Sequence, residues 1–300
     1  MTSPDAVALV TGAAGGIGLG TARLLGHEHR LVLTDRDADG LDRAAAELRA
    51  EGVDCTVVPC DVTDARAVEA LLRRACGAGH LVVVVHAAGI SGAMADARTV
   101  VAVNAGGTMH VTRATLRVAE PGLRVALLGS MAARLAPQSL MPVRAYRRRV
   151  DDPAALCAAI DRRCRVASGM QRRSLAYAMS KHFVGWYAGA MAGRFGERGA
   201  AVVSIAPGAV ASEMVLLERD NGAEDVVGFG ALKRLARVEE IAEVVAFAVS
   251  PRASYVTGSE ILCDGGVVAG TTWRDILRLA RRLDAGADVE RPGSNPGQQR

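Results

Sequence analysis

Aromatic side chains make up only 3% of this 300-residue chain, and lysine is scarcer still: Lys181 and Lys233 are the only two among 36 basic residues, so arginine fills the rest. With half the residues hydrophobic, the shortage of aromatics leaves Ala, Val and Leu to build the interior. That suits strands and helices packed closely in layers and excludes a collagen-like or disordered chain. No apolar run reaches the ~18 residues that cross a bilayer, so no membrane span is expected. The opening "MTSPDAVALVTG" has neither a basic region nor a cleavage site, which points to a cytoplasmic protein. Six cysteines include no C-x-x-C pair and fall mostly on apolar stretches, as buried, reduced thiols do. The net charge of +4 comes without an aromatic-interleaved basic stripe, which argues against a nucleic-acid partner. No histidine stands with acid or cysteine at metal-ligand spacing, so no metal is expected.

What is present is an alternation. Short Val/Leu-rich runs ("AVALV", "RLVLTD", "CTVVPCD", "HLVVVVHAAG", "LRVALLGS", "AAVVSIAPG" and "SEILCDGG") are separated by stretches of helical period. Continuous apolar strands divided by helices predict an α/β fold, a Rossmann-like, doubly wound, seven-stranded parallel sheet with right-handed crossovers. The length is compatible with one domain over 1–300. Its additions are an insertion over about 131–173 and a Gly-, Pro- and Gln-rich tail over about 284–300, whose composition predicts disorder.

In such a fold ligands sit at the carboxyl ends of the strands. Strand one runs into "TGAAGGIG", where Gly12, Gly16 and Gly18 permit a tight turn, and the helix opening near Ile17 offers its amides to a pyrophosphate. An isolated glycine-rich turn would carry little weight; its position directly after a strand gives it meaning. Strand two ends at Asp35, 17 residues beyond Gly18, about where a carboxylate accepts from the adenosine ribose hydroxyls and repels a 2′-phosphate. That favours NAD, although the adjacent Arg36 could pair with the phosphate of NADP. On its own Asp35 would read as a helix or turn cap.

Tyr177 and Lys181, in "YAMSK", share a helix face at i and i+4. An ammonium near a phenol favours the phenolate, so the tyrosine becomes a candidate base. Arginine, with a planar fork instead of a compact charge, would not serve in the same way. Taken alone, the pair would be an ordinary surface contact.

Together these motifs resemble the short-chain dehydrogenase/reductase family, in order, from about Ala6 to Gly266. "TGAAGGIG" is similar to its cofactor motif, and Asp61 and Val62 to the pair that contacts the adenine. "HAAG", containing Ala88 and Gly89, stands where the family has N-N-A-G. Asn104, Ser130, Tyr177 and Lys181 match its catalytic tetrad. Pro207, Gly208, Val210 and Ser212, in "APGAVASEM", match the turn beside the nicotinamide.

The resemblance implies interconversion of a secondary alcohol and a ketone. Tyr177 would exchange the hydroxyl proton, Lys181 would lower the phenol pKa and hold the nicotinamide ribose, Ser130 would bind the reacting oxygen, and Asn104 would position a water joining Lys181 to solvent. A cofactor-binding regulator, or an epimerase or dehydratase using bound NAD, would carry the same cofactor motif.

One feature departs from the family pattern. Ser130 and Tyr177 lie 47 residues apart, too far for an ordinary strand-to-helix link. Tyr146 is nearer to Ser130, but it has Val150 where a lysine would be needed. Within the insertion "DDPAALCAAIDRRCRVA" reads as a helix capped by Asp152, with Pro153 in its first turn and Leu156, Ile160 and Cys164 on one face. It is expected to lie over the active site, with Leu156 and Ile160 covering the substrate or the neighbouring helix. The insertion resembles that of a hydroxysteroid and carbonyl dehydrogenase subset, which implies a hydrophobic substrate and an altered subunit contact, hence a homodimer in place of a homotetramer. Ten arginines against three aspartates in 131–173 concentrate positive charge, which a solvated face, a subunit contact, an acidic substrate or an acidic partner would explain.

Overall fold

The computed structural model describes residues 5–212, 214, 226–272, 274 and 275; the tail over 284–300 and much of the loop after Ala209 lie outside them. Seven parallel strands form one sheet in the order β3-β2-β1-β4-β5-β6-β7. They are β1 (Ala6–Thr11), β2 (Arg30–Thr34), β3 (Cys55–Val57), β4 (His80–His86), β5 (Arg124–Leu128), β6 (Ala201–Pro207) and β7 (Glu260–Cys263). Every residue of β1 is buried, as expected for a central strand covered on both faces. The strand read from "CTVVPCD" is shorter than that run. Pro59 has no N–H to donate, so β3 stops at Val57, and only the Val58 and Cys60 amides continue the contact by donating to Leu33 O and Asp35 O.

Two apolar layers clothe the sheet. On one face α1 (Gly16–Leu25), α2 (Ala38–Ala50) and α10 (Val238–Val249) pack through Ala22, Leu41, Leu48, Ile241 and Val245. On the other lie α3 (Ala65–Gly77), α4 (Ala97–Val101), a π-helical turn (Ala102–Gly107), α5 (Thr108–Arg117) and the 28-residue α9 (Gly169–Gly196). Aspartates begin several of these helices because a carboxylate accepts from their otherwise unpaired first amides: Asp37 from Gly40, Asp64 from Arg66 and Ala67, Asp96 from Thr99. The order of the strands reverses between β1 and β4, which opens the crevice where ligands of doubly wound folds bind.

The insertion supplies three helices, α6 (Ala132–Leu135), α7 (Val143–Arg148) and α8 (Pro153–Cys164). Asp152 caps α8 by accepting from Ala155 N, Pro153 occupies its first turn, and Leu156, Ile160 and Cys164 are fully buried, as the sequence predicts. Of the two coverings expected, α8 adopts the second. Its apolar face packs with Val100, Val101 and Met179 on α4 and α9, and the Cys157 thiol meets Val101 O at the edge of the π turn. These helices already present apolar surface, so α8 extends the core in place of roofing the strand ends.

Candidate active site

The glycine loop is shaped by the backbone around it. At Gly12, with φ of +70°, a Cβ would fall 2.6 Å from Ala88 N; at Gly18 it would fall 2.0 Å from Gly12 O. Only hydrogen fits at either position, so the loop lies flat against the end of β4 and feeds directly into α1. Ile17 occupies the first turn of α1, half-buried against the adjacent core layer. No side chain caps that helix, and its first amides remain open to an anion. Gly16 faces Ser212, whose Cβ lies 3.8 Å from a Cβ built on the glycine. The loop after β6 therefore closes onto the glycine turn.

Asp35 stands at the tip of β2. Its carboxylate accepts from Ala14 N (3.3 Å) and Asp37 N (3.2 Å), which ties the second strand to the glycine loop, while Arg36 is exposed. Asp61 accepts from both the amide and the hydroxyl of Thr63, fixing the turn after β3. The neighbouring Val62 is buried, and its carbonyl meets His110 Nδ1 at 3.0 Å.

The second group of residues converges beyond β4 and β5. Lys181 is 6% exposed and donates to Leu128 O at 2.9 Å. Burial pushes its ammonium from the usual 10.5 down to about 8. A Cβ on Gly89 would come within 3.0 Å of Lys181 Nζ and 3.1 Å of Asn104 Oδ1, so these three residues share one small space. Asn104 sits in the π turn, where the widened backbone aims its amide at Ile90: Oδ1 accepts from Ile90 N and Nδ2 donates to Ile90 O, both at 2.9 Å. Asn104 Nδ2 also reaches Ser180 Oγ at 3.2 Å, and Ser180 donates back to Tyr177 O at 2.9 Å. Asn104 thus grips the turn of α9 that carries Tyr177 and Lys181. Tyr177 is half-buried on the same face.

Ser130 follows β5 and is nearly buried, its hydroxyl accepting from Ala132 N at 3.2 Å. Met131 N donates to Pro207 O and Gly208 N to Cys263 O, both at 2.8 Å, so the ends of β5, β6 and β7 are laced together. Val210 bridges Ala236 and is buried. Tyr146 joins none of this. It is fully buried, its hydroxyl donates to Met179 O at 2.9 Å, and burial pushes its phenol far above the ordinary range, which disqualifies it as a base.

Several partners are invisible to motif reading. His86 occupies the first position of "HAAG" and meets Thr11 Oγ1 at 2.8 Å, and that same hydroxyl accepts from Ala88 N at 3.2 Å; β1 and β4 are clamped beside the glycine loop. Burial, with the nearby Lys181 charge, pushes His86 down to about 3. Ser180 could have been noticed as the polar residue inside "YAMSK". The pair of Arg134 with the buried Glu260 carboxylate (2.7 Å) had no local signal, because the partners are far apart in sequence.

Comparison with known proteins identifies the family. Residues 6–142 match the short chain dehydrogenase family model and residues 158–268 match that of enoyl-(acyl carrier protein) reductase, with 143–157 of the insertion falling between them. A galactitol 2-dehydrogenase (L-tagatose-forming) from Cereibacter sphaeroides is 34% identical, over 89% of this chain and 96% of that one. A cis-4-hydroxycyclohexanecarboxylate dehydrogenase from Sinomonas cyclohexanicum is 32% identical, over 88% and 97%. The crystal structure of an actinorhodin polyketide ketoreductase variant with NADPH superposes with a TM-score of 0.71 at 25% identity, covering 89% of this chain and 99% of that one. The chain belongs to the short-chain dehydrogenase/reductase family of oxidoreductases.

Proposed function

We propose that the protein interconverts a secondary alcohol and a ketone, with Tyr177 as general acid/base and NAD(H) as the preferred cofactor. The observation that carries this reading is the buried Lys181, one helical turn beyond Tyr177, confined with Asn104 and Gly89 at the ends of β4 and β5 where Ser130 also emerges. A cation held in so dry a place, with its pKa drawn to about 8, is costly, and the proposed chemistry gives a reason for it.

The cradle fits a dinucleotide. Gly12, Gly16 and Gly18, with Ile17 in the first helical turn, leave room for a pyrophosphate on the α1 amides. Asp61 and Val62 would meet the adenine, Ala88 and Gly89 would underlie the dinucleotide, and Pro207, Gly208, Val210 and Ser212 would meet the carboxamide side. Asp35 has one oxygen on the glycine loop at Ala14 N and the other on Asp37 N, and its remaining lone pairs suit two ribose hydroxyls while its charge opposes a 2′-phosphate. When bound, the nicotinamide supplies the redox chemistry of hydride exchange.

The chain's own residues do the rest. Ser130 donates to the reacting oxygen and stabilises charge developing there. Tyr177 removes the hydroxyl proton in the oxidising direction and returns it in the reducing one. Lys181, still mostly protonated at pH 7, holds the phenolate by charge and offers its other hydrogens to a ribose. Asn104 keeps Tyr177 and Lys181 in register through Ser180 and borders the space for a water next to the ammonium. The names of two relatives, galactitol 2-dehydrogenase and cis-4-hydroxycyclohexanecarboxylate dehydrogenase, both describe oxidation at a ring or chain secondary alcohol, which supports that substrate class.

The β7 edge supports a homodimer. Tyr255 is fully exposed, and Phe247 (43% exposed) and Leu262 (41%) stand out from α10 and the outermost strand. The decisive experiment screens alcohols and ketones with both cofactors and then repeats the productive reaction with Tyr177→Phe. Loss of turnover by about 10²–10⁴, with dinucleotide affinity nearly intact, is expected. Near-normal turnover in that variant would remove the dehydrogenase reading.

A further inference from the structure

The insertion gathers a concentrated positive charge and then uses up its own acids elsewhere. Between Met131 and Arg173 the chain has three aspartates. Asp151 is taken by Arg194, whose two terminal nitrogens approach its oxygens at 2.6 and 2.8 Å, and by Arg113. Asp152 caps α8. Asp161 pairs with Arg172 at 2.6 Å and with Arg165 at 3.4 Å. None remains for Arg144, Arg148, Arg149 and Arg163, and among the described residues none of these four has a carboxylate within ion-pair distance.

The four converge. With Pro142 and Ala145 they line an open cleft of about 320 Å³. Arg144 and Arg148, at i and i+4, share one face of α7, Arg149 follows at its end, and Arg163 comes from α8. The wall they stand on is firmly set. Tyr146 of α7 is fully buried, donates to Met179 O, and packs its ring 5.2 Å from Phe183 and 5.4 Å from Trp186 on α9.

We propose that this cleft is a binding site for a small, multiply charged phosphate-bearing ligand, separate from the dinucleotide cradle. Like charges held around one concavity repel until an anion enters, and a cleft of single sign focuses its field inward. Guanidinium forks match phosphate oxygens two at a time, which a flat scatter of surface cations does not achieve. The cleft's size favours a small ligand over a protein partner: its volume sits at the low end of small-molecule sites, and its walls carry only Pro142 and Ala145 as apolar surface, with no aromatic anchor of the kind that dominates protein interfaces.

The test uses the holoenzyme saturated with NADH or NADPH, so that the cradle's own phosphate positions are filled. Pyrophosphate is titrated by calorimetry and thermal shift against the wild type, Arg163→Gln, and the double variant Arg144→Gln/Arg148→Gln. Citrate, a poly-glutamate peptide and a short DNA duplex are run in parallel. Saturable pyrophosphate binding is expected, about tenfold weaker for each arginine removed and weaker again at high salt, with citrate behind it. The variants alter exposed side chains and should keep the wild-type unfolding temperature without ligand. No saturable binding at 10-fold molar excess up to about millimolar pyrophosphate, or equal binding by all three proteins, overturns the site. Tighter binding of the peptide or the duplex than of pyrophosphate overturns the assignment to a small ligand. None of these outcomes bears on Tyr177, whose test stands apart.

Discussion

Replacing Lys181 by methionine, which keeps an unbranched chain of similar length in the same buried space, should change how the cofactor-free protein responds to pH. The folded state holds this ammonium at a pKa of about 8 against an ordinary 10.5, because burial strips its water. The unfolded chain therefore keeps the proton through a window in which the folded chain has released it. Where the unfolded state binds more protons, stability rises with pH, so the wild type should gain stability between about pH 8 and 10.5 and carry the full cost below pH 8. Two and a half pKa units correspond to about 3 kcal/mol. Losing the donor to Leu128 O offsets part of this in the variant, by about 1–3 kcal/mol, but that offset is the same at every pH. Urea unfolding of the two cofactor-free proteins, from pH 7 to 11, isolates the difference, since every other titrating group is common to both. The stability gap should move by about 3 kcal/mol in favour of the wild type across the series. A gap that stays constant would show that Lys181 is hydrated or paired in the folded state, and the argument from its burial would fail. At pH 7 the same variant should be comparable in stability yet weaker in dinucleotide binding and without turnover.

His86 should leave its own mark in acid. With a folded pKa of about 3 against 6.5, its stabilising contribution is complete above pH 6.5 and is lost as pH falls toward 3, by about 5 kcal/mol in all, so His86→Asn should flatten the acid limb of stability measured by denaturant unfolding; parallel curves would refute it. Titration by fluorescence should show NAD(H) bound more tightly than NADP(H), with Asp35→Ala weakening NAD(H) about 10- to 100-fold. A wild-type preference for NADP(H) would mean that Arg36 dominates. Light scattering should give a dimer, and Tyr255→Glu, which places a charge on the exposed β7 side, should give monomers; a tetramer untouched by that substitution would exclude this face as the contact.

The sequence by itself determined the layered fold and named the residues of the candidate site, because both are written in local pattern. A covered parallel strand must be apolar throughout, as "LVVVV" is in β4, and a turn against another backbone must be glycine, as Gly12 and Gly18 are. The insertion helix was legible for the same reason, through Asp152, Pro153 and the spacing of Leu156, Ile160 and Cys164. Tertiary structure alone decided what those pieces touch. Whether α8 covers a substrate or a helix depends on which apolar surface lies nearest in space, and α4 and α9 provided it. The clamp of His86 on Thr11, the grip of Asn104 on Ser180 and the pairing of Arg134 with Glu260 join residues separated by 75, 76 and 126 positions, and no local periodicity encodes such meetings. The free charge of the arginine cleft was equally hidden. Counting showed an excess of cations in the insertion, but only the folded chain shows which aspartates are already engaged and which guanidinia are left facing one another.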